Sequence, residues 1–287
     1  MKKILILAAT ALLAIGTQAQ PTTAADSAGK LGWQLAVHSY TFKNFSIFEA
    51  IDKTAAAGLH YMSISGTLML DGTNKIPTTS LSEKDQQAIL AKLKASGITP
   101  KFVNMGVVKL PPDEAESRKV FEFAKKFGID TLVAEPEPAA LDTVEKLCKE
   151  YNIKVAIHDH PKPSHYWNPD VVLAAIKGRT PLMGACADVG HWTRSGLNPV
   201  ECLKQLEGRV ICLHFKDLNE PGPKAHDVPW GTGINQVRAM MEELKHQKFH
   251  GAFCIEYEYH WDNSLPEIAQ CVKYFNATCD ELAAEVK

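Results

Sequence analysis

From Leu31 onward the chain alternates between short apolar runs and longer stretches whose apolar residues recur every three or four positions. The first pattern marks buried strands and the second amphipathic helices. The runs WQLAVHS (33–39), YMSIS (61–65), KFVNMGV (101–107), TLVAEP (131–136), KVAIHDH (154–160), MGACADVGH (183–191), VICLHFKD (210–217) and AFCIEYE (252–258) predict eight strands. Helices are predicted over 46–58, 82–97, 113–128, 139–152, 168–178, 198–208, 234–247 and 265–286. Several begin after Ser, Asp or Asn and end in Gly or Asn, the residues that cap helix ends. Eight strand–helix units in about 250 residues predict an α/β fold, a single-domain (β/α)8 TIM barrel over 31–287. An open doubly wound sheet shares the alternation, but no GxGxxG follows the first strand.

The first twenty residues, MKKILILAATALLAIGTQAQ, break this pattern. Two lysines, an apolar run from Ile4 to Ile15 and small residues around Thr17 and Ala19 have the layout of a secretory signal peptide over 1–19. The run is too short for a permanent span. The expectation is an exported protein with no membrane anchor after cleavage, periplasmic where the cell has two membranes, with 20–30 as a flexible lead-in. Seven cysteines lie scattered in apolar segments without a CxxC pair, which predicts buried free thiols. With 45% hydrophobic and 22% charged residues the chain supports a large core, and a net charge of −2 gives no basic field for nucleic acid. A small-molecule partner follows. A homo-oligomer is compatible with the sequence, although no stretch marks an interface.

In a barrel, chemistry gathers at the C-terminal ends of the strands. Those ends hold His38, Glu135, His158, His160, Asp188, His191, His214, Lys216, Asp217, Glu256 and Glu258. Singly, each has a plain structural use as a cap, a hydrogen-bonded core histidine or a solvated charge. Together they are costly to bury unless a cation or mutual hydrogen bonds offset the cost. Oxygen and imidazole ligands without thiolate suit a divalent metal: Mn, Mg, Co, Fe or Zn. Side chains repeat every two residues along a strand. His158 and His160 can therefore both face the barrel axis, the lower at metal depth and the upper at substrate depth. Trp33, Tyr40, Phe42, Tyr166, Trp167, Trp192, Trp230 and Trp261 are the aromatics expected near the mouth, where each either caps the barrel core or offers a stacking face. Trp192 and Trp230 come first because they lie in the ADVGHW and VPWGTG loops.

The motifs ADVGHW, LHFKD, VPWGTG and IEYE, in this order and spacing, resemble those of the xylose-isomerase-like barrels. That group includes sugar and sugar-phosphate isomerases and epimerases, inosose and dehydroshikimate dehydratases, and the AP endonuclease family 2 nucleases. The resemblance runs from residue 31 to about 280. It implies that Asp188, His214 and Glu256 are metal ligands and that His191 touches substrate. Many members carry Glu at the end of strand five, where this chain has His158. The fourth ligand is then Glu135, His158 or both, with Glu135 preferred. His160 matches a histidine found near substrate in some dehydratases. The implied activity is a divalent-metal-dependent sugar isomerase or epimerase working through an enediolate on a carbohydrate substrate. Glu135, His160, His191 or Glu258 would be the base, and Lys216 an oxyanion or proton donor unless it pairs at the surface with Asp217 or Glu220. His38, Trp192 and Trp230 are the expected substrate contacts. A lyase or hydratase acting on a 3-keto-glycoside is the alternative, and a non-catalytic sugar-binding barrel a second one. The nuclease branch would need more histidines and a basic groove, and the only hint of a phosphate cradle is WGTG at 230–233.

Overall fold

Residues 24–285 are described by a computed structural model. Eight strands close into a barrel: β1 (Trp33–His38), β2 (Tyr61–Ser65), β3 (Met105–Val108), β4 (Thr131–Ala134), β5 (Lys154–His158), β6 (Met183–Asp188), β7 (Val210–Phe215) and β8 (Gly251–Ile255). All are parallel neighbours in chain order, and β8 pairs with β1 from Gly251 opposite Trp33 to Ile255 opposite Val37, which shuts the ring. The helices are α1 (Ala24–Lys30), α2 (Ile47–Ala56), α3 (Glu83–Ala95), α4 (Glu114–Phe127), α5 (Leu141–Tyr151), α6 (Pro169–Ile176), α7 (Val189–Arg194), α8 (Pro199–Gln205), α9 (Val237–His246) and α10 (Leu265–Ala284). The predicted barrel is the fold observed. Ser46 and Ser82 close capping boxes at the starts of α2 and α3, each cap worth about 1 kcal/mol. Two small ribbons sit at the strand ends: Thr67–Met69 with Lys75–Pro77, and Asp217–Leu218 with Asp227–Val228.

The strands part their residues between two cores. Val37, Ile157, Ala187, Leu213 and Ile255 face outward into the large core beneath the helices. Ala36, Ala156, Cys186, Cys212 and Cys254 belong to a separate cluster of mostly small residues inside the barrel. Each of these five stands two positions before His38, His158, Asp188, His214 or Glu256. Period two therefore lifts those five polar side chains onto the inner wall, one layer above the small ones. A layer of alanine and cysteine closes the barrel beneath the site.

Three sequence expectations change. The strand predicted to run to His191 ends at Asp188, because Asp188 caps α7: its Oδ1 accepts the His191 backbone N–H at 2.9 Å. His191 thus sits in the first turn of a helix, and His160 lies just past the end of β5. Residues 24–30, expected within a flexible lead-in, form α1, which packs on α10 and buries Ala28. The predicted signal peptide lies outside the described residues. All seven cysteines are buried and free. Among the described residues no helix is long and apolar enough to cross a membrane.

Candidate metal centre

His158, Asp188, His214 and Glu256 bring one ligand atom each within 4.8 Å of one another, and all four are buried. Asp188 Oδ2 lies 3.6 Å from His158 Nε2 and 3.9 Å from His214 Nδ1, and Glu256 Oε2 lies 3.1 Å from His214 Nδ1. His158 Nε2, Asp188 Oδ2 and both His214 nitrogens have no aligned hydrogen-bond partner despite burial. Buried polar atoms are rarely left so, and one such atom from each of His158, Asp188 and His214 lies in the group formed with Glu256. Two imidazoles and two carboxylates suit a divalent ion of hard or borderline character. The residues fit the metal the sequence implied.

Glu135 is placed differently from the preference stated above. It lies outside that foursome and belongs to a second group with His158 and His160. Its Oε1 receives His158 Nδ1 at 3.0 Å and also His160 Nδ1, while Ser164 Oγ donates to Oε2 at 3.0 Å. Burial works against the Glu135 charge, but the two histidines outweigh it and hold the carboxyl below its usual range. An ionised carboxylate only accepts, so both imidazoles carry their proton on Nδ1 toward Glu135. His158 then turns Nε2 to the foursome, with Glu135 as its outer anchor, an arrangement common around metal-bound histidine. Burial also opposes charge on His158. Asp188 and Glu135 on its two sides prevail and hold the imidazolium up to about 10, so an ion taken by Nε2 displaces a proton.

Above the foursome lies a charged network. Lys216 Nζ, fully buried, stands 2.9 Å from Asp188 Oδ2, 2.8 Å from Glu256 Oε2 and 2.7 Å from Glu258 Oε2. This corrects the surface pairing considered from sequence. Asp217 is occupied elsewhere, accepting backbone N–H groups of Gly231, Gly233 and Asn235 at 2.9, 2.9 and 3.0 Å. A Cβ on Gly233 would come within 2.4 Å of Asp217 Oδ1, which accounts for glycine there. The WGTG amides are thus spent, those of Gly231 and Gly233 on Asp217, that of Trp230 on Cys271 Sγ and that of Thr232 on the Pro229 carbonyl, and they form no phosphate cradle.

Arg194 went unnoticed in the sequence. Its Nη1 reaches His191 Nδ1 at 3.1 Å and Glu258 Oε2 at 3.2 Å, and its Nη2 reaches Asp227 Oδ2 at 3.0 Å. Guanidinium only donates, so His191 Nδ1 accepts and its proton sits on Nε2. Burial, opposed by Asp188 and aided by Lys216, drives the His191 pKa well below its ordinary value and keeps the ring neutral. His160 and His191 stack with ring centroids 5.3 Å apart. They are anchored in opposite senses: His160 donates from Nδ1 to Glu135, and His191 accepts at Nδ1 from Arg194.

These groups surround a cavity of about 210 Å³ at the barrel mouth, lined by His38, Tyr40, Ser65, Thr67, Val107, His158, His160, His191, Glu256 and Glu258. His38 pairs through Nδ1 with Ser63 Oγ at 2.7 Å. Burial, with His214 beside it, pulls its pKa down to about 3 and keeps it neutral. Trp192 and Trp230, expected to stack on substrate, are 1% and 2% exposed and line no part of this cavity. Trp230 packs against Phe215 and Phe275 in the outer core instead. Trp33 starts β1 and so lies at the opposite end of the barrel.

A closed (β/α)8 barrel with a metal-ready cluster at its strand ends defines the class. The chain belongs to the xylose isomerase-like TIM barrel family, whose sequence profile matches residues 51–277. It is similar to an uncharacterised protein from Parabacteroides distasonis ATCC 8503, at 35% identity over 86% of this chain and 99% of that one, with a TM-score of 0.68. A D-tagatose 3-epimerase-like protein shares the fold at 17% identity, covering 87% and 99%, with a TM-score of 0.66. So does a xylose isomerase-like barrel protein from Mycobacterium smegmatis in complex with magnesium, at 14% identity, covering 88% and 98%, with a TM-score of 0.69. Among curated proteins none matches the chain.

Proposed function

We propose that the protein is a divalent-metal-dependent isomerase or epimerase that moves a proton beside the carbonyl of a keto or hydroxy sugar. The observation that carries this reading is the convergence of His158, Asp188, His214 and Glu256, with the buried His158 Nε2 and His214 nitrogens lacking aligned hydrogen bonds, beneath a cavity of about 210 Å³. A divalent ion held by these four supplies Lewis-acid polarisation of adjacent substrate oxygens and stabilises the negative charge that develops on them. His160, fixed by Glu135 with its Nε2 lone pair free, takes the proton from carbon. His191, fixed by Arg194 with a proton on Nε2, donates to the oxygen that gains charge. Lys216 adds a buried positive charge toward the same oxygens, and neutral His38 lines the wall. For an isomerisation His160 returns its proton to the neighbouring carbon while the hydroxyl on the original carbon loses its proton to His191, restoring both residues. For an epimerisation a second group on the opposite face, for which Glu258 lines the cavity, delivers a proton to the same carbon and the oxygen returns its proton to His191.

A second reading is elimination from a 3-keto-glycoside or related keto-sugar. The neutral Nε2–H of His191 favours it, because a poised acid can protonate a leaving oxygen. Proton NMR in D2O with metal-loaded protein, neutral ketoses and 3-keto-glucosides tests both readings. Deuterium entering beside the carbonyl with the skeleton intact means isomerase or epimerase. Deuterium with loss of aglycone or water means lyase. No exchange with any of them sinks the enolisation chemistry and leaves a sugar-binding barrel.

A further inference from the structure

A second, larger concavity opens on the same face of the barrel. Asn44, Tyr259, His260, Trp261, Asp262, Asn263, Pro266 and Glu267 line a groove of about 790 Å³ between the loop after β1 and the loop after β8. Tyr40, which lines the catalytic cavity, meets Trp261 edge-on at 5.8 Å. Lys43 Nζ lies 3.3 Å over the Trp261 ring. This cation–π contact fixes the indole and covers one face of it. Tyr259 is flanked by the rings of His226 and His260 at 4.2 and 4.0 Å, which makes it a fixed wall. His260 holds a left-handed backbone, φ 45°, at a cost of roughly 1 kcal/mol or more, and its ring pairs with the Glu267 carboxylate at 2.9 Å while its carbonyl accepts the Asn263 N–H at 2.8 Å. The bend sets Trp261 at the rim beside Asn44, whose amide donates to Asp262 Oδ1 at 2.8 Å.

A half-buried indole with planar amide and carboxylate side chains around it is the chemistry that binds a sugar ring: the carbon face stacks on the aromatic surface and the hydroxyls meet the polar groups. The catalytic cavity, about 210 Å³, and the groove share no lining residue, but the Tyr40 ring on the wall of the first touches the Trp261 ring on the wall of the second, and Glu258 and Tyr259 are chain neighbours lining one each. We propose that the groove is an outer subsite for a second sugar ring, so that the substrate is a glycoside rather than a free monosaccharide. This rests on the sugar reading of the catalytic site and narrows its substrate class.

The test reads binding, not turnover. Isothermal titration of the full chain with cellobiose, maltose, lactose and trehalose, each against glucose, should show at least one disaccharide bound roughly tenfold more tightly than glucose. Trp261→Ala should erase that gain and leave glucose affinity unchanged, while Trp261→Phe keeps most of it. Equal affinity for glucose and every disaccharide, or a gain that survives Trp261→Ala, overturns the subsite whatever the enzyme turns over. A disaccharide held through Trp261 without deuterium exchange keeps the subsite and defeats the proposed chemistry instead.

Discussion

At the scale of single residues, two side chains that touch no reacting atom decide what the histidines can do. Glu135 places both His158 and His160 with Nδ1–H inward, and Arg194 places His191 with Nδ1 accepting. Glu135→Gln keeps size and one acceptor but no longer dictates either tautomer. Metal affinity or turnover should fall about 10–100-fold, as with other outer partners of metal-bound histidine. Dialysis against a chelator series with metal analysis measures the first, steady-state rates the second. Arg194→Ala frees His191 Nδ1 to take a proton. Nitrogen-15 NMR of the histidine rings should show His191 leaving the pure Nε2–H form, with kcat down about 10–100-fold and KM little moved. Arg194→Lys retains one donor and should recover part of both. An unchanged His191 signal in Arg194→Ala would show that the guanidinium does not set the tautomer.

At the scale of elements, each strand serves two ends. Its outward residues hold the helices, and its last inward residue reaches the site. Asp188→Asn and Glu256→Gln should therefore abolish metal retention and turnover while circular dichroism and the folded state persist. Activity retained in both variants would remove these carboxylates from the centre. The same division explains what could be read in the chain beforehand. Period-two runs exposed all eight strands, and the polar residue ending each inward face exposed His38, His158, Asp188, His214 and Glu256. Arg194 is hidden in the sequence because α7 is only six residues long and its first three residues, 189–191, read as the end of strand six. On a helix, His191 and Arg194 at i and i+3 share a face; on a strand they would point to opposite sides. Glu135 was over-ranked for a related reason. Its place at a strand end says it reaches the mouth, but only side-chain geometry shows it behind His158 and not beside it. Trp192 misled because a motif position says nothing about which face of α7 is buried.

At the scale of the whole molecule, the buried histidines set how stability depends on pH. His38, held down at about 3, and His191, held well below its ordinary value, bind fewer protons folded than unfolded. Their stabilisation is complete above the unfolded pKa of about 6.5 and is lost as pH falls toward the folded values. His158, held up at about 10, does the opposite: its contribution is complete below about 6.5 and fades as pH rises toward 10. Each unmatched proton tilts stability by about 1.4 kcal/mol per pH unit. Asp227, held up at about 7 by burial, and Asp159, also held up by burial, bind more protons folded than unfolded and offset the two histidines below pH 6.5, so the feature to expect in the metal-free protein is a thermal midpoint that falls as pH rises above about 6.5. By taking His158 Nε2, a divalent ion removes the proton that this alkaline fall depends on, so the fall above about pH 6.5 should flatten, while the ion's own stabilisation fades in acid as its ligands take up protons. Calorimetry with chelator and with Mn²⁺ across pH 4–9.5 compares the two curves. Titration of Mn²⁺ at pH 8 in buffers of different ionisation enthalpy should register proton release on binding, about one per ion, because His158, held up at about 10, still carries a proton on the nitrogen the ion would take. Release of none would mean that the ion leaves His158 protonated, and Glu135 would then regain its claim as the fourth ligand.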